Sequence, residues 1–401
     1  MLITKSPEKL NNITVDLPAS KSISNRLLIL NALSNSPYPI KNLSDCDDTI
    51  VLQKILNSNE NRFDIGTAGT AMRFLTAYLS TIVGEWHLTG DNRMKQRPIS
   101  ILVEAINNLG GRIEYTENEG FPPLRIFGTA LQGGEVEIQG NVSSQYISAL
   151  LMIAPTMQKG VKIIIKGKIS SIPYIYMTLS LMKQFGIDYS WGKNIIYVPA
   201  CEYIPIQTTV ESDWSAASYW FEIVALSKDK HTIFLKGLEK NSIQGDAIIS
   251  DFFNRLGVKS SFTENGLRLE RSGSAVKYFR QDFTNYPDLA QTIAVTCAFL
   301  NIPFTLTGLE TLKIKETDRI TALTTELRKF GFDIKTNNSD NLFWNGTKIE
   351  KQSNICLNSY NDHRMVMSFA PAALKTEPFE IDNPDVVLKS YPGFWEDLGS
   401  A

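Results

Sequence analysis

Lysine, arginine and carboxylate side chains crowd into a few short polar segments of this 401-residue chain. Lys315, Glu316, Asp318 and Arg319 stand together in KETDR, and Asp362, His363 and Arg364 in NDHR. Asp288 follows NYP, Lys21 and Arg26 lie in SKSISNR, and Arg73 follows GTAGTAM. Arg93, Lys95 and Arg97 fall in DNRMKQRP, with Lys313 and Lys389 completing the set. Acid–base chemistry needs a carboxylate or imidazole whose pKa is tuned by charged neighbours, so Asp288, Glu316, Asp318 and His363 are the candidates. Each also has a purely structural reading: N-capping or an arginine pair for the two aspartates, a salt bridge to Arg319 for Glu316, an orienting hydrogen bond for His363. If the cations converge, they suit a ligand carrying phosphate and carboxylate, because the arginine fork bonds two oxygens at once.

Other chemistries are disfavoured. SKSISNR lacks the glycines of GxxxxGK[ST], which argues against a P-loop NTPase, and Gly66 and Gly69 of IGTAGTAM do not make a dinucleotide fingerprint. They mark a tight turn, or a backbone that a small anion can approach closely. Only His87, His231 and His363 occur, far apart, so a histidine-rich metal site is not expected. No Ser/His/Asp or Cys/His grouping is visible. Forty basic against 42 acidic residues give a net charge of −2, which argues against a chain devoted to nucleic acid or membrane surfaces. Cys46, Cys201, Cys297 and Cys356 form no CxxC pair, as expected of a reducing compartment. The N-terminal residues lack a signal-peptide pattern, and no apolar run reaches the ~20 residues of a membrane span, so a cytoplasmic location is expected.

The elements that must carry these residues repeat. Segments opening at Gly90, Gly167, Gly237 and Gly308 share one layout of strand, glycine, polar loop, amphipathic helix and a closing glycine (Gly110, Gly186, Gly257, Gly331). Weaker copies begin at Asn42 and Ile381. A second helix type interleaves, led in by PASKSISNR, IGTAGTAMR, NVSSQYIS, ESDWSAAS, NYPDLAQT and YNDHRMVM, each followed by an apolar stretch. Ser, Thr, Asp and Asn there suit N-caps, and the closing glycines suit the position after a helix. The unit reads as βαβαββ, six copies of ~67 residues. The segment 198–213 is a candidate crossover near 210, and Ile13–Leu17 a strand that could pair with the second half. The apolar parts stay alike while the loops differ in charge, as expected of site residues on a common frame.

Taken in order, LPASKSISNRLLIL, GTAGTAMR, MKQRP, VSSQY, PDLAQTIA, KIKETDRITAL and YNDHRMVMS closely resemble the 5-enolpyruvylshikimate-3-phosphate synthase family over residues 18 to about 398. The resemblance implies an α/β fold of two inside-out barrels with helices inside, three repeats each, closing around the substrates. It places residues 18–211 on the shikimate 3-phosphate side, and 1–17 with 212–401 on the phosphoenolpyruvate side. It implies transfer of the enolpyruvyl group of phosphoenolpyruvate to the 5-hydroxyl of shikimate 3-phosphate, with release of phosphate, in aromatic amino-acid synthesis. No metal or organic cofactor is implied, and a monomer is expected.

By motif, the resemblance assigns Lys21, Ser22, Arg26, Ser143, Ser144, Gln145, Ser171, Tyr174, Asp288, Thr311 and Lys315 to shikimate 3-phosphate. It assigns Lys21, Gly69, Arg97, Gln145, Arg319, Arg364 and Lys389 to phosphoenolpyruvate. Asp288 would take the proton of the attacking hydroxyl and Glu316 would handle the methylene proton, with Lys21 touching both substrates. Thr67, Ala19, Phe74 and Thr311 depart from residues common in the family, and Thr67 and Phe74 flank the Gly69 turn, so they bear on affinity and on inhibitors that mimic phosphoenolpyruvate. A related transferase acting on UDP-N-acetylglucosamine usually carries a cysteine in the loop matching GDNRMKQRP; this loop has none. A non-catalytic anion-binding relative would have lost a chemical residue, yet Lys21, Asp288, Glu316 and Lys389 are all present.

Overall fold

The computed structural model describes residues 2–3, 12–141, 143–228, 231–337 and 340–400. The chain folds into two compact units. Ser20–Val210 forms one, here the N unit; Glu211–Ala401 and the N-terminal segment through Ala19 form the other, the C unit.

One sheet pattern recurs in both. In the N unit Arg62–Asp64 runs parallel to Gly84–Thr89, which pairs antiparallel with Leu124–Gly128, and that strand with Arg112–Tyr115. Gly134–Gln139, Val161–Lys166, Ile195–Val198 and Ser190–Gly192 repeat the same order. In the C unit Ile13–Val15 lies parallel to Thr232–Lys236, followed by Gly266–Arg271 and Val258–Thr263. Phe279–Asp282, Phe304–Thr307 and Leu342–Trp344 make a fourth copy. The N-terminal strand is thus shorter than Ile13–Leu17, and it does pair with the second half. It supplies the parallel neighbour that the helix Trp214–Leu226 needs to complete a βαβ crossover.

Two kinds of helix occupy each unit. Lys21–Leu33, Gly69–Thr81 and Ser144–Ile153 of the N unit, and Trp214–Leu226, Ala290–Phe299 and His363–Phe369 of the C unit, are buried over most of their circumference. Every residue of Ala290–Phe299 is buried, as a helix without a polar face must be. The four that follow the opening glycines, Ser100–Asn108, Ile172–Gln184, Ile249–Arg255 and Arg319–Lys329, bury one face only. Their closing glycines hold the left-handed conformation that ends a helix, with φ +83° at Gly186 and +89° at Gly331.

The lead-in polar residues cap most of the buried helices. Ser143 accepts from Gln145 N, Asp213 from Ala216 N and Asp362 from Arg364 N; Ser20 lies 3.5 Å from Ile23 N. Two depart from that expectation. Ala68 precedes Gly69–Thr81 without a capping side chain, and Ala290–Phe299 continues a 3-10 turn, Pro287–Leu289, that supplies its first turn instead. Among the described residues no helix is long and apolar enough to cross a membrane.

Candidate active site

Capping fixes where the charged lead-in residues point, and each unit gathers its own set. In the N unit Lys21 opens its helix, and its ammonium sits 3.2 Å from Asp48 Oδ2, at the first turn of Asp47–Leu56. One turn on, Arg26 is buried. Its Nε donates to Thr178 Oγ1 at 2.7 Å, Nη1 to the Ser22 carbonyl at 2.8 Å, and Nη2 to Ser148 Oγ and the Tyr174 carbonyl at 3.3 Å each. Its guanidinium also lies 5.4 Å from the Phe74 ring centre. All these partners are neutral. Burial pulls the Arg26 pKa down to about 10, still well above neutrality, so a full positive charge stands there.

The remaining N-unit candidates lie at helix starts. Gly69 begins its helix with the Arg97 guanidinium against it. Arg73 crosses to the Gly69 and Pro98 carbonyls at 3.2 and 3.1 Å, clamping the same turn from behind. Ser143 and Ser144 open Ser144–Ile153, and Gln145 donates to Thr70 Oγ1 at 3.1 Å, which joins that helix to the Gly69 turn. Ser171 adopts φ +56°, an unusual conformation for a residue with a side chain, just before Ile172–Gln184.

In the C unit the charged candidates form one ion-pair network. Arg319 is the first residue of its helix and its side chain is 1% exposed. Its Nε and Nη2 grip the two Asp362 oxygens at 2.7 and 3.1 Å. Nη1 reaches Asp288 Oδ1 at 3.2 Å, and Nη2 reaches Glu316 Oε2 at 3.0 Å. Arg364 Nη2 donates to Asp288 Oδ2 at 3.1 Å, Lys315 Nζ lies 3.4 Å from Asp288 Oδ1, and Lys389 Nζ lies 3.4 Å from Glu316 Oε1. Four cations thus share three carboxylates. Asp318 is outside this network: it caps the Arg319 helix, accepting from the Ile320 and Thr321 amides at 3.1 and 3.2 Å.

The family model for EPSP synthase (3-phosphoshikimate 1-carboxyvinyltransferase) matches residues 51–398. The chain belongs to the EPSP synthase family. It is 54% identical over 389 residues to a 3-phosphoshikimate 1-carboxyvinyltransferase of Bacteroides fragilis, covering 97% of this chain and 95% of that one. A protein of the same name from Vibrio vulnificus is 37% identical over 427 residues, with 99% and 98% coverage. The fold matches that of an EPSP synthase from Acinetobacter baumannii with a TM-score of 0.77, covering 99% and 97% of the two chains at 20% identity.

Within this EPSP synthase family member, electrostatics separate the carboxylates. Burial pushes Asp288 towards the neutral acid, but Arg364, Lys315 and Arg319 outweigh it and hold Asp288 ionised far below the usual carboxylate range. Burial likewise disfavours the Arg319 charge, and Asp362, Glu316 and Asp288 more than restore it. His363 is buried with Nδ1 3.9 Å from Asp362 Oδ1, too long for a hydrogen bond, and Asp362 is already committed to Arg319 and the Arg364 amide. Asp362 is therefore not a hydrogen-bond partner of His363 Nδ1. Thr311 lies in the 3-10 turn Glu310–Ile314, its buried hydroxyl without a hydrogen-bond partner among the described residues.

Sequence reading missed several supports. Asp48 sits in the DCDD run, where acidic density was the available signal. Thr178 and Ser148 lie inside apolar stretches and gave none. Ser215, beside Arg364, belongs to the lead-in ESDWSAAS, and Asp246, bonded to Ser215, to the polar stretch after Gly237; both are equivalent by repeat to segments that carry named candidates, so the repeat was the usable signal.

Proposed function

We propose that this chain transfers the enolpyruvyl group of phosphoenolpyruvate to the 5-hydroxyl of shikimate 3-phosphate and releases phosphate. The observation that carries the reading is the C-unit network, in which Asp288 and Glu316 are each held between cations supplied by KETDR, NDHR and LKSYP.

That arrangement serves two stages. Arg319, Arg364 and Lys389, with Lys21, Gly69, Arg97 and Gln145 of the N unit, hold phosphoenolpyruvate. Lys315, Asp288 and Thr311, with Lys21, Ser22, Arg26, Ser143, Ser144, Gln145, Ser171 and Tyr174, hold shikimate 3-phosphate. The buried Arg26 charge, surrounded by neutral partners, supports an anionic ligand for that set. As phosphoenolpyruvate draws the cations to itself, Asp288 loses part of its compensation and becomes a stronger base, by the same Coulombic effect that now depresses it.

Protonation of the methylene carbon, with Glu316 handling that proton, makes a cationic centre. The 5-hydroxyl oxygen bonds to the adjacent, phosphate-bearing carbon, where that positive charge lies, as its proton passes to Asp288. Loss of a methyl proton and departure of phosphate then restore the double bond. The cations on the phosphate stabilise the charge that grows on the leaving group without reorganising.

Incubating the purified chain with phosphoenolpyruvate and each acceptor tests the reading. Phosphate release is expected with shikimate 3-phosphate and not with UDP-N-acetylglucosamine; release with the nucleotide sugar alone overturns it.

A further inference from the structure

Asp246 is a buried acid to which no step above gives a task. It lies in the short turn Gly245–Ile248 of the C unit, 3% exposed. The Ser215 hydroxyl donates to its Oδ2. Ser215 Oγ in turn lies 3.5 Å from Arg364 Nη2, the same nitrogen that donates to Asp288 Oδ2 at 3.1 Å.

Hydrogen counting gives the chain a direction. Nη2 carries two hydrogens, and both Asp288 and Ser215 accept from it. A guanidinium accepts nothing, so Ser215 can hold Arg364 only with its lone pairs and must send its single proton elsewhere. Asp246 is where it goes. We propose that Asp246 and Ser215 are positioning residues for Arg364: ionised Asp246 takes the Ser215 proton, turns the Ser215 lone pairs to the guanidinium, and so sets how Arg364 is shared between Asp288 and phosphoenolpyruvate. This rests on the functional reading above.

The link is sensitive to protons. A protonated Asp246 could donate to Ser215 instead of accepting from it, and the orientation would be lost. Burial first, then the Asp288 charge, raise the Asp246 pKa to about 6, with a small addition from Asp213 and opposition from Arg364 and the Ser215 hydrogen bond. Efficiency with phosphoenolpyruvate should therefore fall as pH drops through about 6.

Steady-state kinetics of the full chain between about pH 5 and 8 test this, with Asp246→Asn, Ser215→Ala and Ser215→Thr beside the wild type. Asp246→Asn and Ser215→Ala should raise KM for phosphoenolpyruvate about ten-fold or more, leaving KM for shikimate 3-phosphate nearly unchanged. Asp246→Asn should also abolish the fall near pH 6, and Ser215→Thr, which keeps the hydroxyl, should stay close to wild type. Wild-type KM values with an unaltered acid limb in Asp246→Asn overturn the positioning role, as do equal rises in both KM values with a lowered melting temperature. A wild-type chain that releases no phosphate defeats the functional reading itself, and this inference with it.

Discussion

At Gly69 the missing side chain is what admits Arg97. A Cβ there would stand 2.4 Å from Arg97 Nη1 and 3.0 Å from its Cζ, far inside contact distance. The obstructed atoms are the end of a long flexible side chain, so Gly69→Ala moves the guanidinium and leaves the backbone alone. The expected outcome is a rise in KM for phosphoenolpyruvate of about ten-fold with the melting temperature within about 2 °C of wild type, read from kinetics and a thermal melt. A large loss of stability with unchanged KM would refute it. The residue scale is also where sequence reading was half right. The GTAGTAM turn was legible as a place of close approach, but the group that approaches lies 28 positions on, and nothing local announces such a pairing. KETDR divides the same way. Asp318 and Glu316 are both acids beside basic residues, yet one caps a helix and the other pairs with Arg319 and Lys389, a distinction set by where the helix begins.

Helix starts are the element-level device of this protein, because they aim side chains and free amides together. Asp318 accepts from two amides and the Thr321 hydroxyl at the head of the helix whose first residue is Arg319. Asp318→Ala should lower stability by about 1 kcal/mol, seen as a melting temperature lower by about 2 °C. Because Arg319 keeps its two-pronged grip on Asp362, kcat should fall far less than on removal of Glu316; parallel assays of the two variants check this. Elements were the most legible part of the sequence. Glycine spacing and polar lead-ins located both helix types, since turn and cap chemistry is local. The partner of Ile13–Val15 could be guessed only as the second half, because its strand, Thr232–Lys236, lies across the whole N unit in sequence and pairing over that distance leaves no periodic trace.

Across the molecule, the six buried helices hold a single carboxylate between them. Glu222 lies in Trp214–Leu226 with no exposed surface, and neither of its carboxyl oxygens has a hydrogen-bond partner among the described residues. The Thr296 hydroxyl gives its single proton to the Thr292 carbonyl at 2.7 Å, so it does not donate to the carboxyl group. Burial pushes the Glu222 pKa well above 4.5, so in the folded chain it keeps its proton. An unfolded chain releases this proton near 4.5 while the folded one retains it, so the folded state binds more protons and stability falls as pH rises above that value. Glu222→Gln cannot ionise and escapes the penalty. Thermal melts from about pH 4 to 9 should show the variant and wild type nearly together at the acid end and the variant ahead by about 2 °C or more at the alkaline end. The difference between the two curves is the quantity to read, since carboxylates such as Asp288, whose pKa is depressed, act in the opposite direction in both proteins and cancel. Parallel curves across the range would mean that Glu222 is ionised in the folded chain and that burial does not hold its proton there.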